Sequence, residues 1–344
     1  MTFIVACGDS TPNAVTPPGD EGQPRDTVRD TVRDTTSAPV AITPGMAVAI
    51  VDNSPAVHVF FVGRLDGAVR SQLHFVNVVD SIAGNFPFNP VRDDKLRVLA
   101  SPALSPDGAK LATVVTVAPI QSEIVVMDTN GTHAQVASAN FQIIVGTPAW
   151  SPDGSKLAYA MSTQLDTAGI DLFVTDLATH AVTRLTTNAD ARATAIRWSP
   201  DGKAILYSRR TGLAPDGAGN AISEIVKVDV AARTSTTIAS GILGDVCSIA
   251  PSATRYLVTH VIAPPNVAVQ LLDRSFAGAE RVVLDSNAVT GHYVSRRDDV
   301  GVVVRKARAG TNTVNETLVM DLGTRTGLPV VGAGSSTVID AFHR

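Results

Sequence analysis

Short apolar runs alternate with turn residues along most of the chain, and no stretch sustains the roughly 3.6-residue spacing of an amphipathic helix. Three of these runs open with nearly the same words. Ala103-Leu-Ser-Pro-Asp-Gly-Ala-Lys-Leu-Ala112 recurs as Ala149-Trp-Ser-Pro-Asp-Gly-Ser-Lys-Leu-Ala158 and as Arg197-Trp-Ser-Pro-Asp-Gly-Lys-Ala-Ile-Leu206. The motif serines Ser105, Ser151 and Ser199 are 46 and 48 residues apart. Each motif predicts an inner strand, a tight turn and a second strand. A third strand follows and ends at an aspartate, as in Glu123–Asp128, Asp171–Asp176 and Glu224–Asp229, and a short fourth strand closes the unit. Four short strands per period of this length make a propeller blade.

Degenerate copies follow. Ser248–Leu257 aligns with the motif, with a turn one residue longer allowed for and Val267–Asp273 as its third strand. Tyr293–Val302 aligns next, with Ser295 as its motif serine and Glu316–Asp321 as its third strand. The chain then ends on one more inner strand, Ile339-Asp-Ala-Phe342, while Ala47–Val51 and His58–Gly63 read as second and third strands lacking a first. The expectation is an all-β, six-bladed β-propeller of four-stranded blades over residues 44–344, the C-terminal strand completing the N-terminal blade. In this register the residue before each motif serine is Leu104, Trp150, Trp198, Ile249, Val294 or Phe342, all bulky and apolar.

Trp-Ser-Pro-Asp-Gly followed by Asp/Glu-Ile-x-Val-x-Asp resembles the WD40-like blade of TolB-type propellers. That resemblance implies a non-enzymatic envelope protein whose propeller surface binds other envelope proteins, a peptidoglycan-associated lipoprotein among them. The N-terminal α/β domain of TolB has no counterpart here, since a different kind of segment precedes the blades.

Residues 1–7 end in Ile4-Val5-Ala6-Cys7, which resembles a lipobox and so implies lipidation of Cys7. Six residues are too few for a charged region and an apolar stretch, so the start is expected upstream. Residues 8–43 carry five prolines and the repeated tetrapeptide Arg-Asp-Thr-Val. Such a polar segment buries too little apolar surface to offset its ordering entropy and is expected to be a disordered tether. The implied location is the periplasmic side of a bacterial envelope, at the outer membrane by Gly8.

Composition narrows the function further. Of the net charge of −4, the tether holds most, with six acidic against three basic residues. No basic stripe exists to displace counterions from phosphates, which excludes nucleic acid as a partner. Cys7 and Cys247 are too far apart to suggest a disulfide framework, and the seven histidines show no metal-ligand spacing. No cofactor is expected, and the protein is expected to be a monomer.

Ser-Pro-Asp-Gly offers a hydroxyl and a carboxylate, but its repetition at blade spacing marks a turn, and no catalytic residue is assigned. Asp128-Thr-Asn-Gly131 lacks the later ligands of a calcium loop. No Gly-x-Ser-x-Gly elbow occurs. The partner-binding candidates are Arg197, Arg209, Arg210, His292, Tyr293 and Asp340, large polar residues on inner strands or long loops. Asp245 is a further large polar residue of the inner strands, and Asn85-Phe-Pro-Phe-Asn-Pro90 is a candidate apolar contact. His292 and Asp340 share an offset, which predicts a pair that raises the histidine's proton affinity. The alternatives are a propeller lyase or hydrolase, or a small-ligand or glycan sensor, with its site at the channel mouth.

Overall fold

The computed structural model describes strands 47–52, 59–64, 69–74 and 337–342, and residues 97–329 apart from 119–120, 130–131, 139–143, 163–168, 188–194, 263–267, 295–296 and 310. Side chains are described within 103–327. Cys7, the 8–43 segment and the Asn85–Pro90 loop lie outside the described residues, as do the side chains of Asp340 and Phe342.

The strands run β1 (Ala47–Asp52), β2 (Val59–Arg64), β3 (Val69–His74), β4 (Arg97–Leu104), β5 (Lys110–Ala118), β6 (Gln121–Asp128) and β7 (Gln135–Val136). They continue as β8 (Ile144–Trp150), β9 (Lys156–Ser162), β10 (Ile170–Asp176), β11 (Val182–Arg184), β12 (Ile196–Trp198), β13 (Ala204–Leu213), β14 (Ala221–Asp229) and β15 (Ser235–Leu243). The last are β16 (Asp245–Ile249), β17 (Arg255–Ile262), β18 (Ala268–Ser275), β19 (Glu280–Leu284), β20 (Ala288–Tyr293), β21 (Val300–Ala309), β22 (Asn312–Asp321), β23 (Gly327–Pro329) and β24 (Thr337–Phe342).

Antiparallel pairing groups β4–β7, β8–β11, β12–β15, β16–β19 and β20–β23 into five blades, each of four consecutive strands. The remaining strands form a sheet of different make, ordered β24-β1-β2-β3, in which Ala47 lies opposite Phe342 and Ala49 opposite Asp340. The expectation of six four-stranded blades is therefore corrected to five blades of consecutive strands and this sheet, in which the C-terminal strand pairs with β1. Five consecutive blades form the repeat, and β24-β1-β2-β3 is a composite of the two chain ends that contains no copy of the motif turn. The blades are not uniform either. The outermost strand is nine residues in β15 but only two in β7, because β7 pairs with β6 through Val125 and Val126 alone.

The motif turns show why this sequence bends where it does. The Ser151 hydroxyl donates to Asp153 Oδ1 (2.6 Å) and accepts the Lys156 amide (2.9 Å), while Gly154 takes φ +72°. Ser105 and Ser199 repeat the arrangement with Asp107 and Asp201. Serine thus ties the turn's carboxylate to its closing amide, and glycine alone takes the left-handed position without a Cβ penalty. The Ser151 bond, then the Ser155 amide, hold the Asp153 carboxyl down to about 2.

Two registers differ from expectation. The fourth motif turn is no longer than the first three: Ala250 N–H donates to Arg255 O across the same five-residue span, with Ala253 forced to φ +57° where the others have glycine. The extra residue lies one blade later, where Val294 N–H reaches Val300 O. Tyr293, not Val294, therefore occupies the place of Trp150 and Trp198. Its neighbour His292 takes the place of Arg197, one residue before the bulky position rather than two.

The core sits between blades. One apolar cluster joins Tyr159 and Phe173 to Ala112, Val126 and Trp150, and the next joins Leu172 and Val174 to Trp198, Ile205 and Val226. Each tryptophan also reaches back to the preceding inner strand, Trp150 Nε1 to Ala103 O (2.8 Å) and Trp198 Nε1 to Ala149 O (3.0 Å). Burying an indole requires a partner for its N–H, and the neighbouring strand provides one.

Candidate functional site

The inner strands and motif turns of the five blades enclose a cavity of about 550 Å³ at the turn end of the ring. Pro106, Pro152, Pro200 and Pro251 stand around it, and Trp150, Trp198 and Ile249 line it among polar groups. Antiparallel pairing decides which residues reach it. The ends of β8, β12, β16 and β20 next to the turns do, which brings Arg197, His292 and Tyr293 to one place.

Arg197 supplies a cation there, and its Nε donates to Ile249 O (2.9 Å) in the next blade. His292 is partly buried with Nε2 3.4 Å from Thr290 Oγ1. Burial, and then the Arg197 charge, lower its pKa to about 4. The described charge beside the imidazole is a cation, whereas the expected rise rested on a pair with Asp340. Asp340 lies on β24, and its side chain is outside the described residues.

Tyr293 borders the cavity, but its hydroxyl turns away and donates to Asp273 Oδ1 (2.7 Å). Burial, then the Asp273 charge, push the phenol far above its ordinary value, so it stays protonated. At the rim, Asp298 Oδ1 accepts the Ser252 amide (3.1 Å) and joins two turns. Cys247 is a buried thiol, with Sγ 3.4 Å from Asp245 O. Among the described residues no group of three or more His, Cys, Asp and Glu could hold a metal ion. The arrangement offers one fixed cation, a neutral imidazole and apolar walls, which suit binding of a segment with mixed polarity.

The other two arginine candidates lie elsewhere. β13 runs away from its motif turn, so Arg209 and Arg210 fall beyond the start of β12, at the opposite end of the ring from the cavity. Arg209 pairs with Glu224, and Arg210 Nε donates to Asp245 Oδ1 (2.6 Å). The residue that sequence reasoning misplaced is Asp273, read as the aspartate that ends a third strand. β18 in fact continues to Ser275, and Asp273 lies fully buried opposite Leu257, where the first two blades and the last carry Val126, Val174 and Val319. The third blade carries Lys227 at this position, exposed, so a charge in the column did not by itself mark Asp273 as buried.

His292 gives a pH prediction. Its folded pKa lies below the ordinary value of about 6.5, so between about pH 6.5 and 4 the unfolded chain binds the proton and the folded chain does not. Stability should therefore fall as pH drops through that window. His292→Asn should remove that part of the slope in urea melts at stepped pH, and an unchanged slope would contradict the assignment.

Residues 88–216 match the family model described as TolB beta propeller domain. No curated protein matches the chain in sequence. Among solved structures, TolB from Acinetobacter baumannii is similar at a TM-score of 0.58 and 19% identity, over 87% of this chain and 66% of that one. The chain therefore spans just under two thirds of that relative's length. A chain of a nidogen/laminin complex aligns at a TM-score of 0.54 and 10% identity, over 87% of this chain and 98% of its own, a likeness of fold alone. Residues 88–216 are TolB-type β-propeller repeats, and the described strands on either side continue the same all-β architecture.

Proposed function

We propose that this chain is a non-enzymatic binding protein of the bacterial cell envelope, anchored through lipid on Cys7, whose propeller takes a partner protein at the cavity mouth. The observation that carries this reading is the cavity's chemistry. Proline-rimmed apolar walls surround Arg197, whose guanidinium is already bonded to Ile249 O and so needs little ordering when a partner arrives. An enzyme would need a nucleophile and a base facing one reacting atom. The Tyr293 hydroxyl is instead committed to Asp273, which favours binding over a lyase or hydrolase.

The test uses chains expressed with a complete signal and cross-linked in cells. Wild type should fractionate with membranes, and Cys7→Ser should become soluble; identical fractionation of the two would overturn the anchor. A partner cross-linked to wild type should be lost from Ser252→Trp, which fills the exposed rim, when both proteins melt alike. Equal recovery would remove the cavity from the interface.

A further inference from the structure

A second cavity, of about 670 Å³, opens between the blade of β8–β11 and the blade of β12–β15. It is lined by three arginines, Arg184, Arg209 and Arg233, which come from β11, from β13 and from the turn joining β14 to β15. Hydroxyls of Thr187, Ser235 and Thr237 share the same walls.

Two of the arginines are held from behind. Arg184 bonds buried Asp171 through Nη2 and donates from Nε to Thr186 O (2.9 Å). Arg209 bonds Glu224 through Nε. The acids lie deep, with Asp171 wholly buried and Glu224 at 13% side-chain exposure, while the guanidinium-bearing side chains are 40% and 32% exposed. Carboxylates on the inner side fix the planes of two cations that face the opening, and Arg233 is a third, exposed cation. With three cations against one buried and one half-buried acid, the cleft carries a net positive charge at its surface.

Guanidinium groups match the two-oxygen edge of a carboxylate or phosphate, and a fixed plane loses less entropy on binding. Surrounding hydroxyls match a ligand that itself presents many hydroxyls. Among the described residues the exposed large apolar side chains are Leu213 and Ile238, and neither lines this cleft. Leu185, Tyr207 and Val226 line it but are buried, so a nucleobase or an apolar peptide side chain would find little apolar surface to pack on. We propose that this inter-blade cleft binds an acidic saccharide, a sugar bearing a carboxylate or phosphate, with Arg184, Arg209 and Arg233 on the oxyanion and the threonine and serine hydroxyls on the ring. The cleft is separate from the cavity at the turns and does not depend on a protein partner there.

Arg233 permits a clean test because it sits at φ +57°, where glycine is at least as comfortable. Arg233→Gly should fold as well as wild type while losing one cation. Titration calorimetry would use digalacturonate as the acidic probe, cellobiose as its uncharged counterpart and inorganic phosphate as a bare anion. Digalacturonate should bind wild type with a dissociation constant of roughly 1 mM or tighter. Arg233→Gly should weaken it by at least about tenfold, and cellobiose should give no heat. Ser252→Trp, at the other cavity, should leave it unchanged. Absence of digalacturonate binding, equal binding by Arg233→Gly, or phosphate binding as tight as digalacturonate would each overturn the proposal.

Discussion

Asp273→Ala should cost about 3–5 kcal/mol. The carboxylate is fully buried and receives Arg255 Nε at 2.8 Å, Arg281 Nε at 2.6 Å and the Tyr293 hydroxyl at 2.7 Å. Removing it leaves two guanidinium groups and a phenol facing an apolar pocket without their acceptor. The arginine side chains retain 24% and 35% exposure, so water can recover part of the loss, which places the expectation toward the lower end of the range. Against a net stability of about 5–15 kcal/mol this is a large fraction. Urea unfolding at neutral pH measures it. A loss below about 1 kcal/mol would mean that the ion cluster contributes nothing that water could not replace.

Gly244→Ala should also be destabilising. Gly244 joins β15 to β16 at φ +109°, its N–H donating to Ala221 O (2.8 Å) and its carbonyl accepting the Ser223 hydroxyl (2.7 Å). A Cβ there would stand 2.2 Å from Thr259 O and 2.8 Å from Val258 Cγ1. The first of these is backbone in the middle of β17 and cannot swing aside. Steric strain of about 1–3 kcal/mol adds to about 1–2 kcal/mol for a left-handed conformation. Loss of roughly 2–5 kcal/mol is expected in the same urea experiment. By contrast Gly217→Ala, also at positive φ but in open space, should lose only the conformational part. Equal effects at the two glycines would show that the close approach to Thr259 is not what restricts position 244.

These two positions show where sequence reasoning reaches and where it stops. The motif turns were legible because their chemistry is local: serine, proline, aspartate and glycine act on one another within five residues. The packing role of Trp150 and Trp198 was legible because each directly precedes a motif turn. Tyr293 was not, because the turn after it has gained a residue, so alignment on Ser295 moved the register by one. Asp273 was missed because a strand that overruns its usual end looks, in sequence, like one that stops at its aspartate. Gly244 carries no motif, and its restriction comes from β17, which follows it in the chain. Of the candidate site, Arg197, His292 and Tyr293 do meet at one cavity. Arg209 and Arg210, expected on a long loop after the second strand, lie instead within β13, which runs to Leu213.

The placement of apolar clusters between sheets has a consequence for how such a chain can change over generations. An interface shared by two blades answers only to the residues of those two, so a substitution in one blade can be compensated by its neighbour without consulting the rest of the ring. The place held by Trp150 and Trp198 is taken by Ile249 and then by Tyr293, and only the latter has a buried carboxylate waiting for its polar tip. Blades of this kind are free to diverge one contact at a time. The repeat can therefore fade from the sequence while the ring remains.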